Sequence, residues 1–242
     1  MAKESGLNVR LYVMGNDLSG DANALDGAGY TQELMDTTCL ENAAMTRMVG
    51  RADGSIGVSG YFDNASNKIH ATFSSNSGKL PTADQVVLVA LSSAAGDPSV
   101  GISAKEADYN VSRSQGSAMT VSSTFSGNGM GGEFGQMLTA HDDTHSSAGS
   151  GSVVDSGASS SNGASGYCQI MSLASGSVIV KIQEATSSGG TYSDLITFST
   201  VAAAGAPSAE RLVMSGSVAR YLKVITTGTF SNAKIAVALC RL

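Results

Sequence analysis

Apolar and polar residues alternate most cleanly in GSIGVSGYFDN, where Ile56, Val58, Gly60 and Phe62 fall on one face and predict a half-buried strand. Met119, Val121 and Phe125 alternate with Thr120, Ser122 and Thr124 in the same way. Val86 to Leu91 is instead an unbroken apolar run, which fits a strand covered on both faces. Val9 to Val13, Gln32 to Thr38 and Glu133 to Ala140 read as further strands. Residues 14–31 are rich in Gly, Asp and Asn and read as turns, while 39–53 lack a clean period and read as a long loop. A short helix is predicted over 64–77. Ala65, Ile69 and Phe73 line one of its faces, Asp63 or Asn64 sits where a cap belongs, and Gly78 sits at the C-terminal stop.

After residue 152 the pattern becomes more regular. Tyr167–Leu173, Val178–Gln183, Leu195–Phe198, Ala209–Met214, Arg220–Thr226 and Lys234–Cys240 are six candidate strands, separated by signals such as Ser187-Ser188-Gly189-Gly190. Short strands at close spacing predict an antiparallel β-sandwich. The stretch HDDTHSSAGSGS, His141 to Ser152, is polar and small and reads as a flexible linker. SGASSSNGASG, Ser156 to Gly166, reads as a surface loop. The chain therefore divides into a β domain over 1–140, a linker over 141–152 and a β-sandwich over 153–242. The fold class is mainly β.

Composition narrows the function. Of 242 residues, 42% are hydrophobic and 14% charged, which is a globular balance and not a disordered one. The opening MAKESGLNVRLYVMG carries Lys3, Glu4 and Arg10 before any apolar run, so no secretion signal is read there and synthesis in the cytoplasm is expected. No apolar stretch is long enough to span a bilayer, so no membrane partner is expected. Residues 1–140 hold 8 Lys and Arg against 14 Asp and Glu, and residues 151–242 hold 6 against 4. An acidic first domain argues against gripping phosphates. Cys39, Cys168 and Cys240 are too few and too widely spaced for a disulfide framework or a zinc pattern, and buried free thiols are expected.

Chemistry-bearing motifs are sparse. His141, Asp142, Asp143 and His145 carry metal-ligand side chains, but between Ser/Gly tracts they read first as a solvated linker. Gly127, Gly129 and Gly132 form a formal GxGxxG, yet Glu133-Phe134-Gly135-Gln136 cannot start the long helix a dinucleotide fold needs, so a β turn is the better account. His70 flanks the apolar face of the predicted helix and reads as a partly buried structural histidine. No nucleophile elbow or acid–base pair stands out, so no catalytic residue and no cofactor are assigned. Arg47 and Arg51 in the long loop face either water or a neighbour's acidic surface.

The order of features resembles the tail tube (major tail) proteins of siphophages, long-tailed bacteriophages. The resemblance is carried by Gly15-Asn16-Asp17-Leu18-Ser19-Gly20, by GRADGSIGVSGYFDN over Gly50–Asn64, by LPTADQVVLVALS over Leu80–Ser92, and by the strand from Met119 to Gly127. SGYCQIMSLASGSVIVKIQEA and SAERLVMSGSVARYLKVITTGTFSNAKIAVALCR are similar to a small β-sandwich fused to such proteins, with Cys168 and Cys240 standing where plain apolar residues are expected.

The resemblance implies two packed sheets with one helix and a long loop. It implies hexameric rings whose sheets merge around a lumen and stack through that loop, so that Cys39, Arg47 and Arg51 would contact the next ring. Ile56, Val58 and Phe62 would lie on a tube-forming strand. It implies a virion protein of the tail, with itself, the tape measure protein and tail-end proteins as partners, and DNA passing through the lumen without specific binding. The acidic balance of residues 1–140 suits that passage. The second domain would project outward as a decoration, and Tyr167, Tyr192 and Tyr221 are candidates for weak stacking on host-surface glycans or, more simply, core residues. The competing readings are a capsid decoration protein and a carbohydrate-binding adhesin module.

Overall fold

The computed structural model describes residues 7–74, 79–141 and 143–242. Among these it is almost wholly antiparallel β, with one short helix. In chain order the elements are β1 (Arg10–Val13), β2 (Asn16–Asp17), β3 (Ala22–Asp36), β4 (Arg47–Tyr61), α1 (Ile69–Phe73), β5 (Gln85–Ala90), β6 (Pro98–Ser112), β7 (Thr120–Gly127) and β8 (Glu133–Met137). They continue with β9 (Thr144–His145), β10 (Gly149–Asp155), β11 (Ala164–Ala185), β12 (Ser193–Thr197), β13 (Val201–Ala202), β14 (Ser208–Met214) and β15 (Tyr221–Arg241).

The apolar run VVLVA organises the first half. All six residues of β5 are buried, and it pairs with β1 along one edge and with Ser99–Ala104 of β6 along the other. Successive side chains point to opposite faces. Val87 and Val89 enter a core with Leu11, Val13, Leu18, Ile56, Val58, Ile69, Phe73 and Phe125. Val86, Leu88 and Ala90 enter a second core with Tyr12, Met137, Tyr167, Ala236, Ala238 and Cys240. A third core fills the second half, built from both ends of β11 and β15 with Ile196, Phe198 and Leu222.

The second half is antiparallel β, as expected, with fewer and longer strands. The predicted pairs 167–173 and 178–183, and 220–226 and 234–240, are each one continuous strand, β11 and β15, paired along almost their whole length. Their first and last thirds have different outer partners. β14 lies beside Ala164–Ile170, whereas β12 lies beside Lys181–Glu184 and β10 beside the start of β15. Gly176 (φ 78°), Gly228 (φ 110°) and Asn232 (φ 49°) fall in the middle of these strands, between the stretches with different outer partners, and a bulge interrupts the register after Ile170.

Several expectations are overturned. Residues 14–31 are not turns alone, because β2 and much of β3 lie there. The predicted strand at Gln32–Thr38 is the end of β3, and 39–53 is not all loop, since β4 begins at Arg47. Three register shifts in the β3–β4 pairing broke the alternation that would have marked these strands. The strand β6 escaped notice for the same reason, with a bulge between Glu106 and Asp108. The helix is shorter than predicted, with Lys68 as its uncapped N-terminal flank. Ala65 is exposed, and Asp63 accepts the Ala65 and His70 N–H groups outside the helix. Gly78 lies outside the described residues. The supposed linker contains β9 and β10, both paired with β15. Small polar residues make a passable strand when a neighbour supplies the ladder.

The two halves meet through more than apolar contact. Gly15 N–H donates to Gln169 Oε1 (2.6 Å), and Gln169 Nε2 donates to Val86 O (3.0 Å). Glu133 of β8 receives the Tyr167 hydroxyl and the Arg211 guanidinium, which also reaches Ser165 Oγ (3.0 Å). Burial and the Glu133 carboxylate together push the Tyr167 phenol well above its ordinary range, so it stays a donor. Burial works against the Arg211 charge, but its bonds to Glu133 keep its pKa raised. The Tyr167 ring rests on Gly101, where an added Cβ would lie 2.6 Å from Cζ.

Gly101→Ala therefore destabilises the protein by about 1–3 kcal/mol in urea unfolding, because the hydroxyl of Tyr167 is anchored and the ring cannot yield. Gly20→Ala, where nothing lies within 4 Å, stays near wild type. Arg211→Met leaves Glu133 buried without its cation and costs about 3 kcal/mol or more, and adding Glu133→Gln recovers part of the loss.

Candidate assembly interface

β3, β4, β7 and the second half of β6 form a four-stranded sheet with two contrasting faces. Residues directly opposite one another across an antiparallel ladder share a face. One set of rows is Ala28–Ile56–Phe125–Glu106, Leu25–Val58–Ser123–Tyr109 and Ala22–Gly60–Val121–Val111. This face lies over the first core and α1. The other set is Gly29–Ser55–Ser126–Lys105, Gly57–Thr124–Asp108, Ala24–Ser59–Ser122–Asn110 and Tyr61–Thr120–Ser112. That second face is a carpet of Ser, Thr, Gly and Asn with few charges. On it Asp26 accepts the Ser59 hydroxyl (2.6 Å), and Lys105 is paired with Asp84 (2.7 Å). The Lys105 contact holds the Asp84 carboxyl below its usual range.

The sheet has two unlike open edges among the described residues. β3 pairs only with β4, so the far side of Ala22–Asp36 meets no strand. β6 exchanges its β5 partner for open space after Ala104, and Lys105–Ser112 is paired with β7 alone. The edges are long and lack proline, one of the devices that discourage pairing with another chain, but both carry charged residues and bulges.

Beyond Ser55, β4 leaves β7 and pairs with β3 alone. The result is a two-stranded arm tipped by residues 37–46. Leu34, Met35, Leu40, Met45, Met48 and Val49 are all exposed on it, Leu40 completely. A two-stranded ribbon is marginal in water unless something covers it. At the tip Asp36 accepts the Thr38 hydroxyl (2.6 Å) and backbone N–H (2.9 Å), which hold its carboxyl below the usual range.

Cys39, Arg47 and Arg51 all lie on this arm and are exposed, which corrects the expectation of a buried thiol at Cys39. Cys168 and Cys240 are buried, and burial raises both thiols, Cys240 to about 12. Ile56 and Val58 are core residues of β4, and Phe62 lies one residue past its end against the His70 ring (4.7 Å). His70 Nδ1 bonds the Tyr109 hydroxyl (2.8 Å).

The metal-ligand candidates do not converge. Arg10 Nε donates to His141 Nδ1 (3.4 Å), while His145 meets Thr226 Oγ1 (3.2 Å) and lies 3.6 Å from Asp143. Asp142 lies outside the described residues. Among the described residues no group of three or more metal-binding side chains comes together. Gly127, Gly129 and Gly132 form the turn between β7 and β8, with Gly129 at φ 73°. Tyr167 is buried, so it offers no ring to a sugar. The Tyr192 ring is faced by Lys223 (4.1 Å) and the Tyr221 ring by Arg220 (5.1 Å). No helix among the described residues is long and apolar enough to cross a membrane.

Sequence reasoning missed the polar face and the open edge of β6, because neither can be seen before the strands are put in register. No protein-family model matches the chain, and neither does any curated protein. Among solved structures it is similar to a protein of the tail of an empty GTA particle refined with C6 symmetry, at 17% identity and TM-score 0.39, over 54% of this chain and 97% of that one. It is also similar to Dit (gp 19.1) of SPP1, described as a hub adsorption apparatus protein in phages infecting Gram-positive hosts. There the identity is 9% and the TM-score 0.35, over 96% of this chain and 98% of that one. Both scores and both identities are low.

In the isolated chain, limited trypsin digestion cuts first after Arg47 or Arg51, ahead of every site in β11 and β15. The double variant Leu34→Glu/Val49→Glu shifts unfolding stability by no more than about 0.5 kcal/mol, because the arm buries so little in a single chain.

Proposed function

We propose that the protein is a non-enzymatic structural component of a bacteriophage tail, and that its first half assembles into stacked hexameric rings forming the tail tube. The observation that carries this reading is the four-stranded sheet with two unlike open edges, one polar face and one core face. An open β3 edge on one copy and an open β6 edge on the next are different surfaces, so their contact is head-to-tail. Such contacts close into a ring or run on as a helix. The number six comes from the resemblance to tail tube proteins and not from the edges.

In a closed ring the hydroxyl-rich face would line the lumen. Ser and Thr rows with Asp26 and Asp108 offer a passing polyanion no cation cluster, so DNA slides and is not held. The tape measure protein would occupy the same channel before DNA does. The second half packs on the opposite side of the first core from that face, so in a closed ring it would lie outside the lumen wall. The arm, with its uncovered Leu, Met and Val side chains, would reach the adjacent ring, and Arg47 and Arg51 would travel with it. Tail-end proteins would take the place of the next ring at the terminus. The protein would be made in the host cytoplasm and end in the virion. Glycan contact by the second half has weaker support, since cations stand over both Tyr192 and Tyr221.

Purified protein concentrated and viewed by negative stain should form rings and tubes with a central channel, and the Leu34→Glu/Val49→Glu variant should form rings that stack poorly. A wild-type chain that stays monomeric at high concentration would overturn the reading.

A further inference from the structure

Glu106 is the misfit of the core-facing rows. It lies on β6 opposite Phe125, which is itself opposite Ile56, and it is only 6% exposed. Phe73 of α1 stacks edge-on against Phe125 at 5.4 Å, so the row is roofed by apolar rings. The Glu106 carboxyl meets Ser123 Oγ at 2.9 Å, and the same Oγ lies 2.9 Å from the carbonyl of Asp108. A hydroxyl has one hydrogen to give. If Glu106 is ionised, that single hydrogen must be divided between a carboxylate and a carbonyl. If Glu106 is protonated, its O–H donates to Ser123 Oγ, and Ser123 donates onward to Asp108 O. Every group is then satisfied.

The other charged and titratable groups around it agree. On β6 the neighbouring Asp108 adds a second negative charge, and its carboxylate is engaged by the Thr124 N–H (3.1 Å). The Tyr109 phenol, raised by burial and by Glu106, is bonded to His70 of α1. Lys105 is turned to the other face, where it meets Thr82 O and Asp84. The core-facing residues that β4 and β7 add are Ile56, Val58, Gly60, Val121, Ser123 and Phe125, none of them ionised at neutral pH. Burial, opposed by the Ser123 bond and aided by Asp108, pushes the Glu106 carboxyl up to about 7.

We propose that the buried Glu106 carboxyl carries a proton that closes the β6 bulge, and that losing this proton loosens the open Lys105–Ser112 edge and weakens head-to-tail pairing between copies. The bulge lies between Glu106 and Asp108, and Asp108 supplies the carbonyl that the proton relay satisfies. The second clause rests on the reading of this edge as a subunit contact, whereas the first does not. The sign follows from linkage. A carboxyl whose folded value is raised from 4.5 to about 7 gives its full contribution below 4.5 and loses it as pH climbs through that window. The folding equilibrium constant then falls by up to about tenfold per pH unit across the window.

Two measurements decide the proton, and a third the edge. Carbon-detected NMR of the wild-type carboxyl should show Glu106 titrating near neutral pH, and a midpoint in the ordinary glutamate range overturns the proposal. Denaturant unfolding from pH 4.5 to 8 should show wild type losing stability over that window relative to Glu106→Gln, whose amide keeps a donor for Ser123. Parallel curves for the two proteins also overturn it. For the edge, wild type should sediment as assemblies more readily at pH 5.5 than at pH 8.5, with Glu106→Gln insensitive over the same range. Equal assembly of wild type at both values removes the coupling to pairing. Failure of every variant to assemble at any pH sinks the ring reading, while the NMR titration still judges the proton.

Discussion

Gln85–Ala90 is dry on both faces, and the rest of the molecule is arranged around that constraint. A strand with no solvent side must find every backbone partner in the protein, and here β1 and β6 supply most of them, with Met14 and Gln169 meeting Val86. Its side chains must also fill two cores at once. Val87 and Val89 turn to one, and Val86, Leu88 and Ala90 to the other. The second of these cores cannot be completed from the first half alone. Tyr167, Ala236, Ala238 and Cys240 close it, which binds the second half to the first as part of one structure.

Small residues make that closeness affordable. Gly101 admits the Tyr167 ring, Gly135 admits Cys240, and Gly15 approaches the backbone of Ser208 and Ile170. Polar groups trapped in the joint are then satisfied by Gln169 and by the Glu133–Arg211–Tyr167 cluster, so the joint is specific as well as apolar.

The opposite end of the molecule is unfinished. Among the described residues, strand edges that are covered elsewhere by the chain itself lie open on β3 and on the far half of β6, and the arm exposes methionine and leucine to water. Completeness at the joint and incompleteness at this sheet are the same physics seen twice. Backbone and apolar groups seek partners, and where the chain supplies none, another copy is the natural source.

The mainly β class, the doubly covered strand at Val86–Leu91, the half-buried strands near Ile56 and Val121, and the scarcity of chemical motifs were all legible in the residues, because each depends on local alternation or on composition. The first part of β3 and the strands β6, β9 and β10 were not, because bulges shift the alternation and small polar residues become strands only when a neighbour offers a ladder. The fusion of four predicted strands into the long β11 and β15 was likewise invisible, since a bend at glycine looks like a turn until its two sides are seen to pair with one partner. The polar face, the two open edges and the burial of Glu106 were decided by register alone. Sequence determines which residues avoid water, but only the folded sheet determines which of them stand side by side.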